Sequence, residues 1–183
     1  ITIHQAAPTA ARATETARAL GHPSSLAYAL WQQSFALGSL GFHNEALATA
    51  RESSEIARSI SHGQWSLAAD VALGAALVDL LDREPALDLF RRSLAGGHEI
   101  ASGIWIAQSA TMLIGALLAR PEGLAEAGTV LARTNYQPGA FRNIDDIWLG
   151  SGAMALAVAC GRFQEVLDET ELMREVFEPG PAW

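Results

Sequence analysis

The chain has 183 residues, of which 50% are apolar and 17% are charged, and its net charge at pH 7 is −8. This composition excludes an intrinsically disordered segment and provides enough apolar surface for one continuous folded body. The negative charge argues against direct contact with nucleic acid, because binding to phosphates depends on clustered Lys and Arg.

In chain order, the apolar periodicity predicts helices of two alternating kinds. The first predicted helix spans 9–20. Helices of one kind are apolar on nearly every side and span 24–42, 64–82, 99–119 and 143–161. Each of these contains one Trp, which is Trp31, Trp65, Trp105 and Trp148 in turn. Helices of the other kind are amphipathic and span 44–61, 84–96, 121–133 and 163–178. In a stack, a helix enclosed on both sides has the first pattern, and a helix with one solvent-facing side has the second.

Each amphipathic helix begins with an acidic residue or proline, then a small residue, then leucine. The four steps are Glu45-Ala46-Leu47, Pro85-Ala86-Leu87, Glu122-Gly123-Leu124 and Glu165-Val166-Leu167, with leucines 40, 37 and 43 residues apart. The small residue predicts close approach to the preceding helix, and the leucine predicts a side chain that fills the groove between the two. Pro85 and Pro121 suit first-turn positions, and Asn44 is expected to be an N-cap.

This repetition predicts an all-α fold, because a lone helical hairpin cannot bury its apolar stripe whereas a stack of hairpins can. We expect about nine helices in a right-handed superhelix of antiparallel hairpins. The expected single domain spans 1–183, with a half repeat at 1–22 and hairpins at 23–62, 63–98, 99–142 and 143–183. Because the chain starts at Ile1 without Met, we expect it to be a fragment of a longer protein.

One segment, 100–119, has no charged residue over a length close to that of a membrane span. Ser102, Gln108 and Thr111 interrupt it and basic flanking clusters are lacking, so we expect an enclosed helix and no membrane contact. The single Cys160 cannot form an internal disulfide, which favours a cytoplasmic location. Its apolar surroundings predict a buried thiol.

Signatures of catalysis, cofactor binding or metal binding are not found. The chain has no Lys and therefore no P-loop, and it has no zinc-type pattern of His or Cys. We expect the turn histidines His22, His62 and His98 to interact with helix C-termini. Asp145 and Asp146 are expected to lie in the first turn of a helix, with a metal or acid pair as the less favoured alternative.

Two regions are candidates for contact with a partner. The first helices of stacked hairpins line a concave face, where the candidate residues are Tyr28, Gln32, Trp65, Asp70, Trp105 and Gln108. The alternative for the Trp residues is that most of them pack between the layers of helices and do not face a ligand. The last helix is acidic, and its candidate docking face is formed by Glu165, Glu169, Glu171 and Glu175. The long connection at 134–142 is expected to pack its own Tyr136 and Phe141 on the stack, with a binding loop as the alternative.

The segments "LGHPSSLAYAL" at 20–30 and "ALATARESSEIARSISHG" at 46–63 carry a resemblance to a known group. They are similar to the tetratricopeptide-like C-terminal regions of large bacterial signalling ATPases. In that group a P-loop NTPase module precedes the repeats, an adenylyl-cyclase-like domain can lie further upstream, and LuxR-type members end in a helix-turn-helix. The resemblance is specific over about forty residues, 17–60. The chain departs from the standard tetratricopeptide pattern, because its repeats are longer than 34 residues and the Trp-Leu-Gly-Tyr pattern is absent.

The resemblance implies a non-catalytic sensor or scaffold arm of a bacterial transcriptional or signal-transduction regulator. Its implied partners are a protein, a small effector or other domains of the same chain, including an NTPase module. The first alternative is a freestanding scaffold that docks a partner in its groove or on its acidic last helix. A second alternative, an all-helical enzyme, depends on Asp70 or Asp79 being a buried carboxylate with a raised pKa. An open stack end at residue 1 also leaves room for a homodimer.

Overall fold

The structure is a computed structural model that describes residues 3–177, with the side chains of residues 5–174. Within that range the chain is all-α, as predicted, with no strand. The helices are α1 (Ile3–Ala19), α2 (Pro23–Ser39), α3 (His43–Ser59), α4 (Gly63–Asp79), α5 (Arg83–Glu99), α6 (Gly103–Leu118), α7 (Leu124–Ala132), α8 (Ile144–Ala159) and α9 (Phe163–Phe177). A 3₁₀ turn at Pro121–Gly123 precedes α7. The chain divides into two compact units, an N-terminal unit (1–105) and a C-terminal unit (106–183). That they form one domain stays a prediction.

In the N-terminal unit, successive helices begin every 20 residues, at 3, 23, 43, 63 and 83. Each helix packs against the next, and α2 also packs against α4. Among the described residues, the Cα atoms of α1, α3 and α5 do not come within 8 Å of one another. The apolar helices α2 and α4 therefore form the closer-spaced inner layer of this unit, and the amphipathic helices form the outer layer.

The 20-residue step has its physical cause in the three-residue links between helices. At each link the middle residue is in the left-handed region; these residues are Gly21, Gly41, Ser61, Leu81, Ala101 and Gly161. In the link after α3, the N–H of Ser61 donates to the carbonyl of Arg58 and that of His62 to the carbonyl of Ala57, each at 3.0 Å. This is the Schellman arrangement, and its bonds satisfy carbonyls that a helix end leaves free.

The residue after the left-handed position is already the N-cap of the next helix. His22 Nδ1 accepts from the N–H of Ser25, and His62 Nδ1 accepts from that of Trp65, each at 3.3 Å. The prediction that these two histidines interact with helix C-termini is wrong, because such a short link makes its third residue part of the following helix. His98 does lie in the last turn of α5. Asn44 is not an N-cap, since α3 begins one residue earlier.

Small residues bring neighbouring helices together, as the repeated step predicts. Ala46 and Ala86 are almost fully buried, and a Cβ added to Gly123 would clash with the carbonyl oxygen of Leu117. The prediction that the leucine fills the groove is confirmed for Leu87, which is fully buried. It is wrong for Leu167, which is 63% exposed, because α9 has a neighbour on fewer sides among the described residues.

Two buried serine hydroxyls, one on α3 and one on α5, repeat with a spacing of forty residues. Ser53 of α3 donates to the carbonyl of Ala27 at 2.8 Å, and Ser93 of α5 donates to the carbonyl of Leu67 at 3.1 Å. Both serines are fully buried and lie forty positions apart, as do their acceptors. A serine that is paired in this way adds a polar contact between helices without the bulk of a larger side chain.

The C-terminal unit departs from the regular pattern at α7. This helix has 9 residues instead of 17 and is followed by an irregular connection up to Asn143. The helix α8 packs against both α7 and α9. Thr111 of α6 donates to the carbonyl of Trp148 at 2.6 Å, which fixes α8 against α6.

Two further expectations concern the apolar segment and the cysteine. Of the helices that the structure describes, none combines the length and apolar character that crossing a membrane requires.

The prediction of a buried Cys160 is wrong, because its side chain is exposed. This residue is the C-cap of α8 and belongs to the link before α9, where side chains point into solvent.

Candidate functional site

Aromatic side chains from three helices meet in one cluster in the N-terminal unit. The ring centroids of Tyr28 and Trp65 are 5.1 Å apart, those of Trp31 and Trp105 are 5.4 Å apart, and those of Trp65 and Trp105 are 6.5 Å apart. Tilted and edge-to-face pairs at such distances are favourable beyond the area they bury. The cluster joins α2, α4 and the first turn of α6. It brings together Tyr28, Trp65 and Trp105, three of the six predicted groove residues.

The residues of this aromatic cluster differ in how far they are exposed to solvent. Trp105 is buried, Trp31 and Trp65 are partly exposed, and Tyr28 is 44% exposed. The cluster therefore has a solvent-facing edge at Tyr28, and Gln32 lies beside it, donating from Nε2 to the Tyr28 hydroxyl at 3.4 Å. The Trp residues thus partly pack between helices, and an accessible aromatic surface remains.

The polar atoms of the cluster differ in their partners. The indole N–H of Trp65 donates to Ser24 Oγ at 2.7 Å, and the ring stacks on His62 at a centroid distance of 5.2 Å. In contrast, the indole N–H of Trp31 is buried and has no hydrogen-bond partner among the described residues. A buried unpaired N–H is unfavourable, so Trp31 carries one unsatisfied polar atom within this cluster.

Asp70 has a different role from the one expected of a groove residue. It is buried, and its two oxygens accept from Arg92 Nε at 2.7 Å and Nη2 at 2.8 Å. Arg58 Nη2 lies 3.8 Å from Oδ1 on the other side. The carboxylate of α4 thus faces the outer helices α3 and α5, and the structure does not bring it to the aromatic cluster. Such a fork-like pair is the strong geometry for Arg and carboxylate.

The remaining polar residues of the apolar helices are Gln108 and Asp79. Gln108 of α6 is buried, and its Oε1 has no hydrogen-bond partner among the described residues. Asp79 is not a buried carboxylate, since its side chain is 39% exposed and lies 3.2 Å from His43 Nδ1. Of the two carboxylates, Asp70 is therefore buried and ion-paired, and Asp79 is partly exposed beside His43.

A second surface feature lies in the C-terminal unit, beside the short helix α7. This open cavity of about 750 Å³ is lined by α7, the connection before α8, α8 and α9, and we call it the C-terminal cavity. Its walls are mostly apolar and include Leu131, Met154, Ala157, Val166 and Leu172. Its volume is in the range of small-molecule sites.

One acidic group, Glu169, stands out in the apolar wall of the C-terminal cavity. Its Oε1 accepts from the Tyr136 hydroxyl at 2.8 Å and from the N–H of Gly139 at 2.9 Å. Its Oε2 is buried and has no hydrogen-bond partner among the described residues. Burial, and then the hydrogen bond to Glu169, raises the pKa of Tyr136 above its ordinary value, so the phenol stays a donor to the carboxylate.

The connection at 134–142 both packs its aromatic residues and lines the cavity. Tyr136 lies against α9 through Glu169, and Phe141 contacts α8 so closely that a Cβ on Gly150 would lie 2.9 Å from its ring. Tyr136 and Gly139 also belong to the cavity wall. The packing expected for the two aromatic residues is confirmed; a binding role stays a prediction.

The acidic residues of α9 do not share one face. Glu165 pairs with Arg162 at 2.6 Å, Glu171 pairs with Arg174 at 2.5 Å, and Glu169 turns toward the connection. The side chain of Glu175, the fourth predicted docking residue, lies outside the described residues. The local ion pairs reduce the negative field that a basic partner would meet.

Asp145 and Asp146 lie in the first turn of α8, as predicted, with Asn143 as the N-cap. Asn143 Oδ1 accepts from the N–H groups of both, at 2.9 and 3.1 Å. Burial alone would raise the pKa of Asp146, but hydrogen bonds from the Arg142 side chain and N–H hold it below its ordinary value. Burial and the neighbouring Asp146 charge raise the pKa of Asp145.

No group of three or more His, Cys, Asp or Glu side chains within the described part of the chain has the arrangement of a metal site. No protein-family model matches the chain, and no curated protein matches it.

Proposed function

We propose that this chain is a non-catalytic, tetratricopeptide-like binding module of a bacterial signal-transduction or transcriptional regulator of the LuxR type. It takes a protein partner or a small effector and acts on other domains of the same chain, including an NTPase module. Its location is cytoplasmic. This proposal starts from the resemblance of residues 20–30 and 46–63 to such regions.

The observation that carries the binding role is the exposed edge of the aromatic cluster. In a helical-repeat protein the inner layer of helices forms the recognition surface. Here that layer presents Tyr28, 44% exposed, beside Gln32 and Trp65. Aromatic side chains that are held rigidly and partly exposed are the residues that contribute most to protein recognition.

A site-specific cross-linking experiment tests this role in the cell. A photoreactive phenylalanine analogue replaces Tyr28 in one variant and Glu55, an exposed residue of the outer helix α3, in the other. We expect a discrete cross-linked product from position 28 that is absent from position 55. Equal patterns from the two positions would show that the inner layer has no preferred partner.

The regulator context is tested separately, by reading the coding sequence on both sides of residues 1 and 183. We expect a P-loop NTPase module upstream, and further repeats or a helix-turn-helix downstream. Start and stop codons at these two positions would refute the regulator proposal. They would leave the alternative, a freestanding scaffold, for which α9 with its charges is the first surface to test.

A further inference from the structure

The C-terminal cavity carries an inference that is independent of the aromatic surface and of the regulator proposal. Its wall combines a large apolar area with three carboxylates, of which Glu169 is held by hydrogen bonds from Tyr136 and Gly139. Apolar walls with a few well-placed polar groups are typical of sites for small molecules, in which the polar groups fix orientation and specificity. The chemical class of the ligand follows from the state of those groups.

The carboxylate is held in place by the protein but is not saturated by it. Oε1 already accepts two hydrogen bonds, from Tyr136 and Gly139, and these fix the orientation of the side chain. Oε2 is buried without a hydrogen-bond partner in the part of the chain that is described. An acceptor that is buried and unpaired costs free energy, and a donor from a ligand would remove that cost.

The charges around the cavity select a cation. Glu165, Asp168 and Glu169 contribute three negative charges to the lining, and Arg162 contributes one positive charge, which is paired with Glu165 at 2.6 Å. An ammonium group is the donor that such a wall stabilises, through a charge-assisted hydrogen bond. The ring of Tyr136, which also lines the cavity, is a further favourable neighbour for a cation.

We propose that the C-terminal cavity binds an apolar small molecule that carries one ammonium group, with the ammonium paired to the Glu169 carboxylate and the apolar body packing on Leu131, Met154 and Leu172. Because Tyr136 and Gly139 lie on the connection before α8, the bound molecule also holds this connection against α9. Binding of the molecule in the cavity should therefore make the connection at 134–142 more ordered.

Octylammonium, with octanol and octanoate as matched probes, tests the proposal by calorimetric titration of the full chain. We expect octylammonium to bind roughly ten- to hundredfold more tightly than octanol, which is the range for one hydrogen bond to a charged group. Octanoate should bind more weakly still. Equal affinity for octylammonium and octanol, or no octylammonium binding at millimolar concentration, would overturn the proposal.

Two substitutions on the same helix separate the site from general charge effects. Glu169→Gln keeps the shape but turns the Oε2 acceptor into a donor, and we expect it to lose at least tenfold in octylammonium affinity. Glu171→Gln makes the same charge change outside the cavity and should bind like the original chain. A loss of similar size in both variants would show that only the overall charge matters and would overturn the proposal.

A third variant covers the case in which Glu169→Gln fails to fold. Ala153→Leu fills the cavity from a partly exposed wall position and leaves the carboxylate intact. With unchanged helical circular dichroism, it should abolish octylammonium binding, and undiminished binding would refute the site. In the original chain, the amide resonance of Gly139 should shift on addition of octylammonium, because its N–H donates to the same carboxylate.

Discussion

Replacing Ala101 by glycine is expected to stabilise the protein, although the same change in a helix destabilises it. Ala101 is the middle residue of the link between α5 and α6, with φ of 51°. A residue with a Cβ costs about 1–2 kcal/mol in this left-handed region, whereas glycine adopts it freely. The Ala101 side chain is exposed, so its removal loses little burial.

The expected gain in the free energy of unfolding is the strain that is relieved minus the cost of the extra conformational entropy that glycine gives to the unfolded chain. The entropy difference is about 0.5–1 kcal/mol. Ala101→Gly should therefore raise the free energy of unfolding by about 0.5–1 kcal/mol. For a chain of this size, such a gain raises the melting temperature by roughly 1–4 °C.

The assay is urea unfolding followed by helical circular dichroism, with the midpoint compared at equal slope. Ala95→Gly is the matched control, since Ala95 is also exposed but lies inside α5. There the substitution should cost about 0.5–1 kcal/mol. In the reverse direction, Gly41→Ala should destabilise, because φ is 86° while a Cβ there meets no atom within 4 Å. If both alanine-to-glycine variants lose the same stability, the left-handed link does not control the fold in this way.

Three further outcomes are expected from the hydrogen bonds and ion pairs described above. His62→Ala should lower the free energy of unfolding by about 1 kcal/mol through loss of the N-cap, and His62→Asn should restore most of it. Asp146→Asn should lower the free energy of unfolding at pH 7 but not in strong acid. The reason is that a pKa held below its ordinary value gives stability that is lost as the pH falls through that value. Asp145→Asn should not lower the free energy of unfolding at pH 7, because the pKa of Asp145 is raised. A double-mutant cycle of Asp70→Ala with Arg92→Ala should give a coupling of about 1–2 kcal/mol, and additivity would contradict their pairing.

The apolar periodicity was sufficient to predict the number and order of the helices. It placed α4 at 64–82, where the structure has Gly63–Asp79, and α9 at 163–178, where the structure has Phe163–Phe177. These agreements follow from a physical constraint, because a helix that lies between two others must be apolar on most sides. The ends were less accurate, since glycine marks only some of the links and Ser61, Leu81 and Ala101 occupy the same left-handed position in others.

Two of the misassigned residues, His22 and His62, lie where one link serves two helices. His22 and His62 follow the end of one helix, which suggested a charge at its C-terminus, but they are acceptors at the start of the next. Only the length of the link, three residues, decides between these roles. Asp70 was expected in the groove because a lone carboxylate in an apolar helix needs a partner; which helix supplies that partner depends on tertiary packing.

The C-terminal cavity could not be predicted from sequence, because its lining comes from four segments that only tertiary packing brings together. The step Glu122-Gly123-Leu124 predicted a helix from 121, and the structure gives a 3₁₀ turn followed by nine helical residues. Sequence reasoning did single out the connection at 134–142 and placed Glu169 among candidate binding residues. It did not show that the two meet, since the Tyr136 and Glu169 side chains are 33 residues apart in the chain.

The three-residue links have a consequence for how the helices melt. Because the last link residue is the N-cap of the next helix, fraying at the end of one helix removes the cap from its successor. In the N-terminal unit the links at 20–22, 40–42, 60–62 and 80–82 contain no spare residue that could absorb such a change. Neighbouring helices should therefore lose their amide protection from hydrogen exchange together, as in a one-dimensional chain with strong coupling between adjacent units.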